Sequence, residues 1–539
     1  MKCTHHLLAP LVIGVVGVAL YLPGITWGVP GTVSWSQDTI AGVRTLGAVA
    51  EWPAQWKGRY APLHYLILDA AYMPVIEYWN ATGQRTVDPS TNKATLKPPH
   101  PPKIGLLIMI ARVVTVCMAV ATALGLWFAA RLLTSDDLAA GLAAAALMIS
   151  AVFTYFAHLG NVDVPAMCWF AWSVFFYVRL LQGRRLRDAA VLGLFASLAI
   201  GTKDATAGVY PGMAVVLLAA ETGRYAREMS WWRALLRAVF QVRWFIGLAL
   251  CAVPYLLLYN AFAHPDRYVE RIRYWLDPPP GTLHAAQHRY ENQLQLMWAA
   301  VRYTAGGIGW PMLFAMGASI AYFVRCHRAN AFVIIVPAVS YYLAVVVPID
   351  FVYSRFLLPP LALLYIAVGF SGAALIRSQR LSAWARVGLC CLVLVPSIAY
   401  AAAIDLEMIN DSRYDAEEWF RENVPPASNV GAFSPGQYLP RLHELEYHTY
   451  SLEMTRHTFT KPQPQWLVLT SYNYEDFNAD QRVCMDALLR GRLGYRRMAA
   501  FNPQYLGTGT SWLGVAGWGA PTPGKASPSI IVMARTRPS

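Results

Sequence analysis

Apolar runs long enough to cross about 30 Å of hydrocarbon as helices of roughly 20 residues recur along the chain as far as residue 404. They fall near 7–27, 104–130, 138–158, 164–182, 188–202, 205–220, 244–263, 303–324, 331–349, 354–376 and 386–404. The pattern thus predicts a polytopic α-helical membrane protein with about eleven transmembrane helices. Lys and Arg collect in every second turn: Lys2; Arg131; Arg184, Arg185 and Arg187; Arg224, Arg227, Arg233, Arg237 and Arg243; Arg325 and Arg328; Arg377, Arg380 and Arg386. Short cytoplasmic loops concentrate those residues, so the alternation sets the N-terminus inside. Residues 62–79 are nearly as apolar but carry Asp69 and Glu77. Counting them as a span would put every later arginine cluster outside, so they read as a helix lying at the outer interface.

The turns on the basic side are short. The other side receives two large loops, 28–103 and 264–302, and a tail, 405–539, which makes the outer face the working face. In the tail the long apolar runs stop. Asp411 or Ser412 is placed to cap a helix through Asp415 to Phe420, while Trp466-Leu467-Val468-Leu469-Thr470 and Ile530-Ile531-Val532-Met533 read as buried strands. The expected organisation is a membrane domain, 1–404, followed by a small extracytoplasmic α/β domain, 405–539. Lys97-Pro98-Pro99-His100-Pro101-Pro102-Lys103 forms a stiff linker into the second span.

Composition agrees. Of 539 residues 56% are hydrophobic and 14% charged, with mean hydropathy +0.36, against roughly a quarter charged in soluble chains. The net charge of +13 resides largely in turns that face anionic headgroups, so it does not call for nucleic acid. Cys484 alone among the cysteines falls in the outer regions, which leaves no partner for a disulfide there. The N-terminal run is long and without a small-residue cleavage site, so it reads as an uncleaved anchor.

Ionisable residues at the outer ends of spans carry the candidate chemistry, because charges at membrane depth are costly and are usually functional or paired. Asp38, in Ser34-Trp35-Ser36-Gln37-Asp38, precedes Thr39 to Arg44, where a helix could start. It is either a helix cap or an acid with a chemical task. His158, Asn161 and Asp163 share the turn His158-Leu159-Gly160-Asn161-Val162-Asp163-Val164-Pro165, in which Asp163 also suits a plain helix start. Lys203 and Asp204 either pair with each other or leave Lys203 to hold an anionic ligand. Arg355, at the start of the tenth span, either pairs with Asp350 or meets a phosphate at the headgroup plane. His284, His288 and Glu291 have the spacing of one helix face but no fourth ligand, so no metal site is assigned.

A carboxylate base and cations on one membrane face suggest group transfer from a lipid phosphate, whose leaving anion the cations would stabilise. The order of these motifs resembles the integral-membrane glycosyltransferases of the GT-C fold, in particular the protein mannosyltransferase and aminoarabinose transferase superfamily. The matching segments are Asp38 with the residues after it, Arg59-Tyr60-Ala61-Pro62-Leu63-His64-Tyr65, Asn161 to Pro165, and Gly193 through Lys203. Tyr353-Ser354-Arg355-Phe356-Leu357-Leu358-Pro359 and Asp411 to Trp419 complete the set. The resemblance implies an enzyme that transfers a sugar, with inversion, from a polyprenyl-phosphate donor to a lipid, glycan or protein acceptor. Asp38 would be the general base, and Asp163 would shape the acceptor and sugar pocket. Lys203, Arg355 and Arg59 would contact the phosphate, with His158, Asn161, Tyr60, His64 and Tyr353 in the pocket. No cofactor is required by this arrangement, and a divalent cation is compatible with it. The expected location is a bacterial inner membrane. The pattern departs from relatives at Asp38-Thr39, where they often carry Asp-Glu. It departs again at Tyr60-Ala61-Pro62, where the aminoarabinose enzymes have a lysine before Pro-Pro, so that donor is not implied. A multi-pass transporter or lipid-linked glycan flippase is the alternative; its charges are expected at the bilayer midplane rather than at span ends.

Overall fold

The computed structural model describes residues 5–536 apart from 32–33, 51, 54–55, 57, 59, 84, 89–92, 97–100, 277–289, 434–435, 456–457, 459–463, 472–477 and 506–525. Helix α1 (His5–Tyr21) leads into a loop with α2 (Val43–Val49), α3 (Leu63–Ala81) and a hairpin, β1 (Arg85–Asp88) and β2 (Lys93–Leu96). The bundle continues with α4 (Pro101–Thr134), α5 (Asp137–Met148), α6 (Ala151–Ala157), α7 (Asp163–Gly183), α8 (Leu186–Thr202) and α9 (Tyr210–Tyr225). After these come α10 (Trp231–Val239), α11 (Val242–Leu258), α12 (Pro265–Leu276), α13 (Gln293–Ile308), α14 (Trp310–Cys326), α15 (Arg328–Tyr341), α16 (Val347–Ile349), α17 (Leu358–Arg377) and α18 (Ala383–Ile409).

Every apolar run of the sequence is helical over most of its length, but the runs are not all straight spans. Among the described residues six helices are long and apolar enough to cross a membrane, or nine if each of three bent pairs is one span. The runs near 7–27 and 188–202 form α1 and α8, each 17 residues long and shorter than a straight crossing. The run at 303–324 is not one helix: α13 and α14 meet at 113° across Gly309, whose φ of 81° suits a residue without a Cβ. The run at 138–158 bends by 66° between α5 and α6. Residues 62–79 are helical, as α3, with His64, Tyr65, Leu68, Tyr72, Ile76 and Trp79 buried along one face while Glu77 and Tyr78 stay exposed.

Within the bundle α4 packs on α7, α17 on α5, and α8 on α11. The last pair shows how closely these helices approach. A Cβ on Gly193 would lie 2.0 Å from the carbonyl oxygen of Gly247, so only glycine admits that crossing.

The tail follows α18 almost without a break, and the boundary expected at 404/405 falls inside that helix. Helix α19 (Ser412–Asn423) is capped by Asp411, whose carboxylate accepts from the Arg413 N–H. Strands β3 (Asn429–Ala432), β4 (His448–Ser451), β5 (Trp466–Thr470), β6 (Tyr495–Phe501) and β7 (Ile530–Arg535) form one sheet in the order β4-β3-β5-β7-β6, with α20 (Ala479–Leu489) between β5 and β6 in sequence. β3 runs parallel to β4 and β5, and β7 antiparallel to β5 and β6. Val468 and Val532, paired in register, pack with Ala416 and Phe420 of α19. Leu467, Leu469 and Met533 pack on the other face with Cys484, Met485 and Leu488 of α20. A sheet covered on both faces explains why β5 and β7 read as unbroken apolar runs.

Candidate active site

The turn between α6 and α7 places Asp163 at the first residue of α7. Asn161 fixes it: the Asn161 side-chain N–H donates to Asp163 Oδ2 (2.8 Å), and the Asp163 backbone N–H donates to Asn161 Oδ1 (3.2 Å). The other carboxylate oxygen receives the ammonium of Lys203, at 2.5 Å, from the residue that follows α8. Lys203 therefore pairs across the bundle rather than with its neighbour Asp204. Its Nζ also sits 5.1 Å from the centre of the Phe356 ring.

A second ion pair stands beside the first. Arg355, in the turn Ser354–Leu357 that opens α17, pairs through Nη1 with Asp38 Oδ1. The alternative pairing with Asp350, which ends α16 in the left-handed region, is not the one formed. Asp38 is also not a helix cap: α2 begins five residues later, behind Gly42. Its loop is instead held to the α6–α7 turn, where the Ile40 N–H and the Thr39 hydroxyl both donate to the Gly160 carbonyl (2.8 and 2.9 Å). Arg355 lies over the rings of Phe156, Tyr353 and Phe356.

Asp163, Lys203 and Arg355 line one small cavity with Ala166, Met167, Thr206, Tyr341, Leu358 and Pro359. Lys203 is within electrostatic reach of Asp163, Arg355 and Asp38, and Arg355 of Asp38, Asp163 and Tyr60. The two pairs sum to zero charge. Asp38 is the most exposed of the four, with 26% of its side chain accessible against 2% for Asp163, so it is the acid that faces outward.

Other candidates are placed differently. Tyr353 flanks Arg355, and Asn161 positions Asp163 without lining the cavity. His158 lies behind the site: its ring nitrogens are 2.8 and 2.7 Å from the carbonyl oxygens of Thr154 and Pro23, and Nε2 is 3.5 Å from Asp405 Oδ1. It ties the turn to the N-terminal loop and to α18, so its place is structural rather than in the pocket. His64 is fully buried on α3 with neither ring nitrogen hydrogen-bonded, and it also does not line the cavity. Arg59, His284 and His288 lie outside the described residues. Among the described residues no three His, Cys, Asp or Glu side chains converge on a point that would hold a metal.

Two supporting networks escaped the sequence reading. Asp204 turns away from Lys203 to bind Arg271 of α12 (3.1 Å) and the hydroxyls of Tyr255 and Tyr259 (3.2 and 2.8 Å). No local pattern marks Arg271, which reads as an ordinary loop charge. Asp411 accepts from Trp27 Nε1 (2.8 Å), from Arg413 Nε and Nη2 (2.8 and 2.6 Å) and from the Ser527 N–H (3.0 Å). The Arg413 guanidinium in turn stacks 4.0 Å from the centre of the Trp35 ring, three residues before Asp38.

Residues 104–246 match the family model for dolichyl-phosphate-mannose-protein mannosyltransferases. The match runs from the start of α4 into α11; Asp163 and Lys203 lie inside it, and Asp38 and Arg355 outside. The chain is therefore similar to this glycosyltransferase family over that stretch, about a quarter of its length. No curated protein sequence matches. Among solved structures, the oligosaccharyltransferase AglB from Archaeoglobus fulgidus, in complex with an inhibitory peptide and a dolichol-phosphate, overlaps at 12% identity and TM-score 0.45, covering 95% of this chain and 75% of that one. ArnT from Cupriavidus metallidurans, bound to undecaprenyl phosphate, overlaps at 13% identity and TM-score 0.44, covering 98% of each chain. The arabinofuranosyltransferase AftD from Mycobacteria overlaps at 13% identity and TM-score 0.36, covering 98% of this chain and 42% of that one. Overlaps this loose transfer no residue roles.

Proposed function

We propose that the protein is a multi-pass membrane glycosyltransferase of GT-C type, with about eleven membrane-embedded helices and a C-terminal extracytoplasmic α/β domain. It transfers a sugar from a polyprenyl-phosphate carrier to a lipid, glycan or protein acceptor at the outer face of a bacterial inner membrane. The observation that carries this reading is the convergence of four separated segments in two adjacent ion pairs: Asp163, Lys203 and Arg355 line one cavity, and Asp38, outside its lining, pairs with Arg355.

The chemistry follows from the pairing. A donor phosphate entering beside Lys203 and Arg355 competes with the carboxylates for both cations, and charge-assisted bonds to phosphate are strong enough for that exchange. Asp38, the more exposed acid, then loses its guanidinium partner and can accept a proton. The acceptor heteroatom attacks the anomeric carbon from the side opposite the phosphate, and the carbon–oxygen bond to phosphate breaks with its electron pair going to the phosphate. The acceptor's proton passes to Asp38, and the sugar is transferred with inversion. Lys203 and Arg355 stabilise the charge that develops on the leaving phosphate, while Asp163, locked by Asn161, keeps Lys203 in place between turnovers. The phosphate contacts proposed here are side-chain cations, and a divalent cation beside them is compatible with the same chemistry.

The test is incubation of the purified protein with radiolabelled polyprenyl-phosphate sugars and candidate acceptors. Asp38→Asn is expected to retain donor binding and lose transfer; transfer at near wild-type rate would remove Asp38 from the base role. No transfer by the wild-type protein with any carrier, alongside carrier movement across vesicles, would favour a flippase.

A further inference from the structure

The opposite end of the bundle holds a second concentration of charge. Helix α7 begins at Asp163 and runs 21 residues, about 30 Å, to Gly183. There Glu221 of α9, 3% exposed, receives three guanidiniums. Arg184 donates through Nε (2.9 Å) and Nη2, Arg224 through Nη1 (2.9 Å), and Arg243 pairs through Nη2 (2.8 Å). Asp188 close by is already held by Arg179 (3.1 Å). Three arginines on one carboxylate leave a surplus of two positive charges, and Arg184 and Arg224 each keep about a third of their side chains accessible.

Beside this cluster an apolar groove runs between α7, α9 and α15, walled by Val178, Leu181, Val215, Ala219, Phe332 and Val336, with Arg224 among its lining residues. Next to it, α10 exposes Trp231, Trp232, Leu236 and the following Phe240, while Ala234 and Ala238 pack inward. Arg233 and Arg237 share that helix, and Arg237 covers the ring of Tyr225. Exposed tryptophans and arginines on one short helix fit the headgroup plane, where aromatic and cationic side chains are favoured. The surplus charge and the groove are therefore set at the depth of a headgroup and of its acyl chains.

We propose that this groove binds an anionic phospholipid, its phosphate at Arg224 and Arg184 and an acyl chain along α7, α9 and α15. Charge complementarity selects it: a zwitterionic lipid brings its own cation to a cluster that already has two in excess. The site lies a membrane thickness from the donor cavity, so it is independent of the proposed transfer reaction.

The test is native mass spectrometry of the full-length, delipidated protein titrated with phosphatidylglycerol or phosphatidylcholine of the same chains. The wild type should prefer phosphatidylglycerol about fivefold, the factor that one arginine near an anionic headgroup contributes. Arg224→Gln should lower the preference, since Arg184 and Arg243 still leave one positive charge in excess on Glu221, and Ala219→Trp, which fills the groove without changing charge, should weaken phosphatidylglycerol binding. Arg380→Gln, an exposed arginine at the same end and outside the cluster, should leave the preference intact. Equal binding of the two lipids by the wild type, unchanged binding by Ala219→Trp, or an equal loss in Arg380→Gln would each overturn the proposal. Should Arg224→Gln not fold, the other two variants still decide it.

Discussion

Each charged side chain of the candidate site is bound to another, and this determines how substitutions there should be read. Asp163 is nearly inaccessible and carries Lys203, so Asp163→Ala leaves a buried ammonium uncompensated, at a cost of about 3–5 kcal/mol. Asp163→Asn keeps the Asn161 contact and should be milder in thermal unfolding. Lys203→Ala removes the proposed charge-assisted contact to the donor phosphate and should weaken donor affinity by roughly tenfold to a hundredfold; unchanged affinity in a donor-binding titration would exclude that contact. Asp38 and Arg355 should be coupled in a double-substitution cycle on stability, since they are direct partners. Acids and cations at span ends were legible from sequence because charge at that depth is rare. Which acid meets which cation was not. Neighbours in sequence, Lys203 with Asp204 and Arg355 with Asp350, were the natural partners, and the fold chose Asp163 and Asp38 by bringing the ends of α7, α8 and α17 together.

The elements depend on a few local devices. Asp136 caps α5 by accepting from the N–H groups of Leu138 and Ala139 (2.9 and 3.3 Å) and also binds Arg377 at the end of α17. The Arg377 guanidinium holds the Asp136 carboxyl below the usual carboxylate range. A depressed acid contributes stability that is present above its unfolded pKa and is lost as pH falls through the folded value. Asp136→Ala should therefore lower stability by about 1 kcal/mol at neutral pH, and the difference from wild type should shrink in thermal melts run at acid pH. Gly193→Val should be more severe, because its Cβ would enter the Gly247 carbonyl. Separation of α8 from α11 should appear as loss of folded protein in detergent. The helices were readable from hydropathy alone. Their bends at Gly309 and between α5 and α6 were not, because a long apolar run looks the same whether or not the chain turns within it.

At the scale of the molecule, the tail is attached to the membrane part through a buried polar junction rather than a free linker. Trp27, Trp35, Asp411, Arg413 and Ser527 join α18, α19 and the loop that ends in Asp38. Arg441 adds a bond to the Pro30 carbonyl (3.0 Å) while pairing with Glu417 (2.6 Å). Arg413→Ala would leave Asp411 buried without its cation, again at about 3–5 kcal/mol. It should also lower transfer more than donor affinity, because the loop it steadies carries the proposed base and not the phosphate contacts. A loss of donor affinity equal to the loss of transfer would argue against that positioning role.

The sequence by itself determined the membrane class, the helical runs, the two inner strands β5 and β7 of the tail and a short set of candidate residues for chemistry. Hydrophobic periodicity and the cost of charge in hydrocarbon act locally and can be read along one dimension. Only the tertiary structure decided the partners of Asp38, Asp163, Lys203 and Arg355, the retreat of His158 and His64 from the cavity, and the junction through Arg413. Those outcomes depend on contacts between residues far apart in the chain, and burial and charge pairing select among such contacts only when the helices pack.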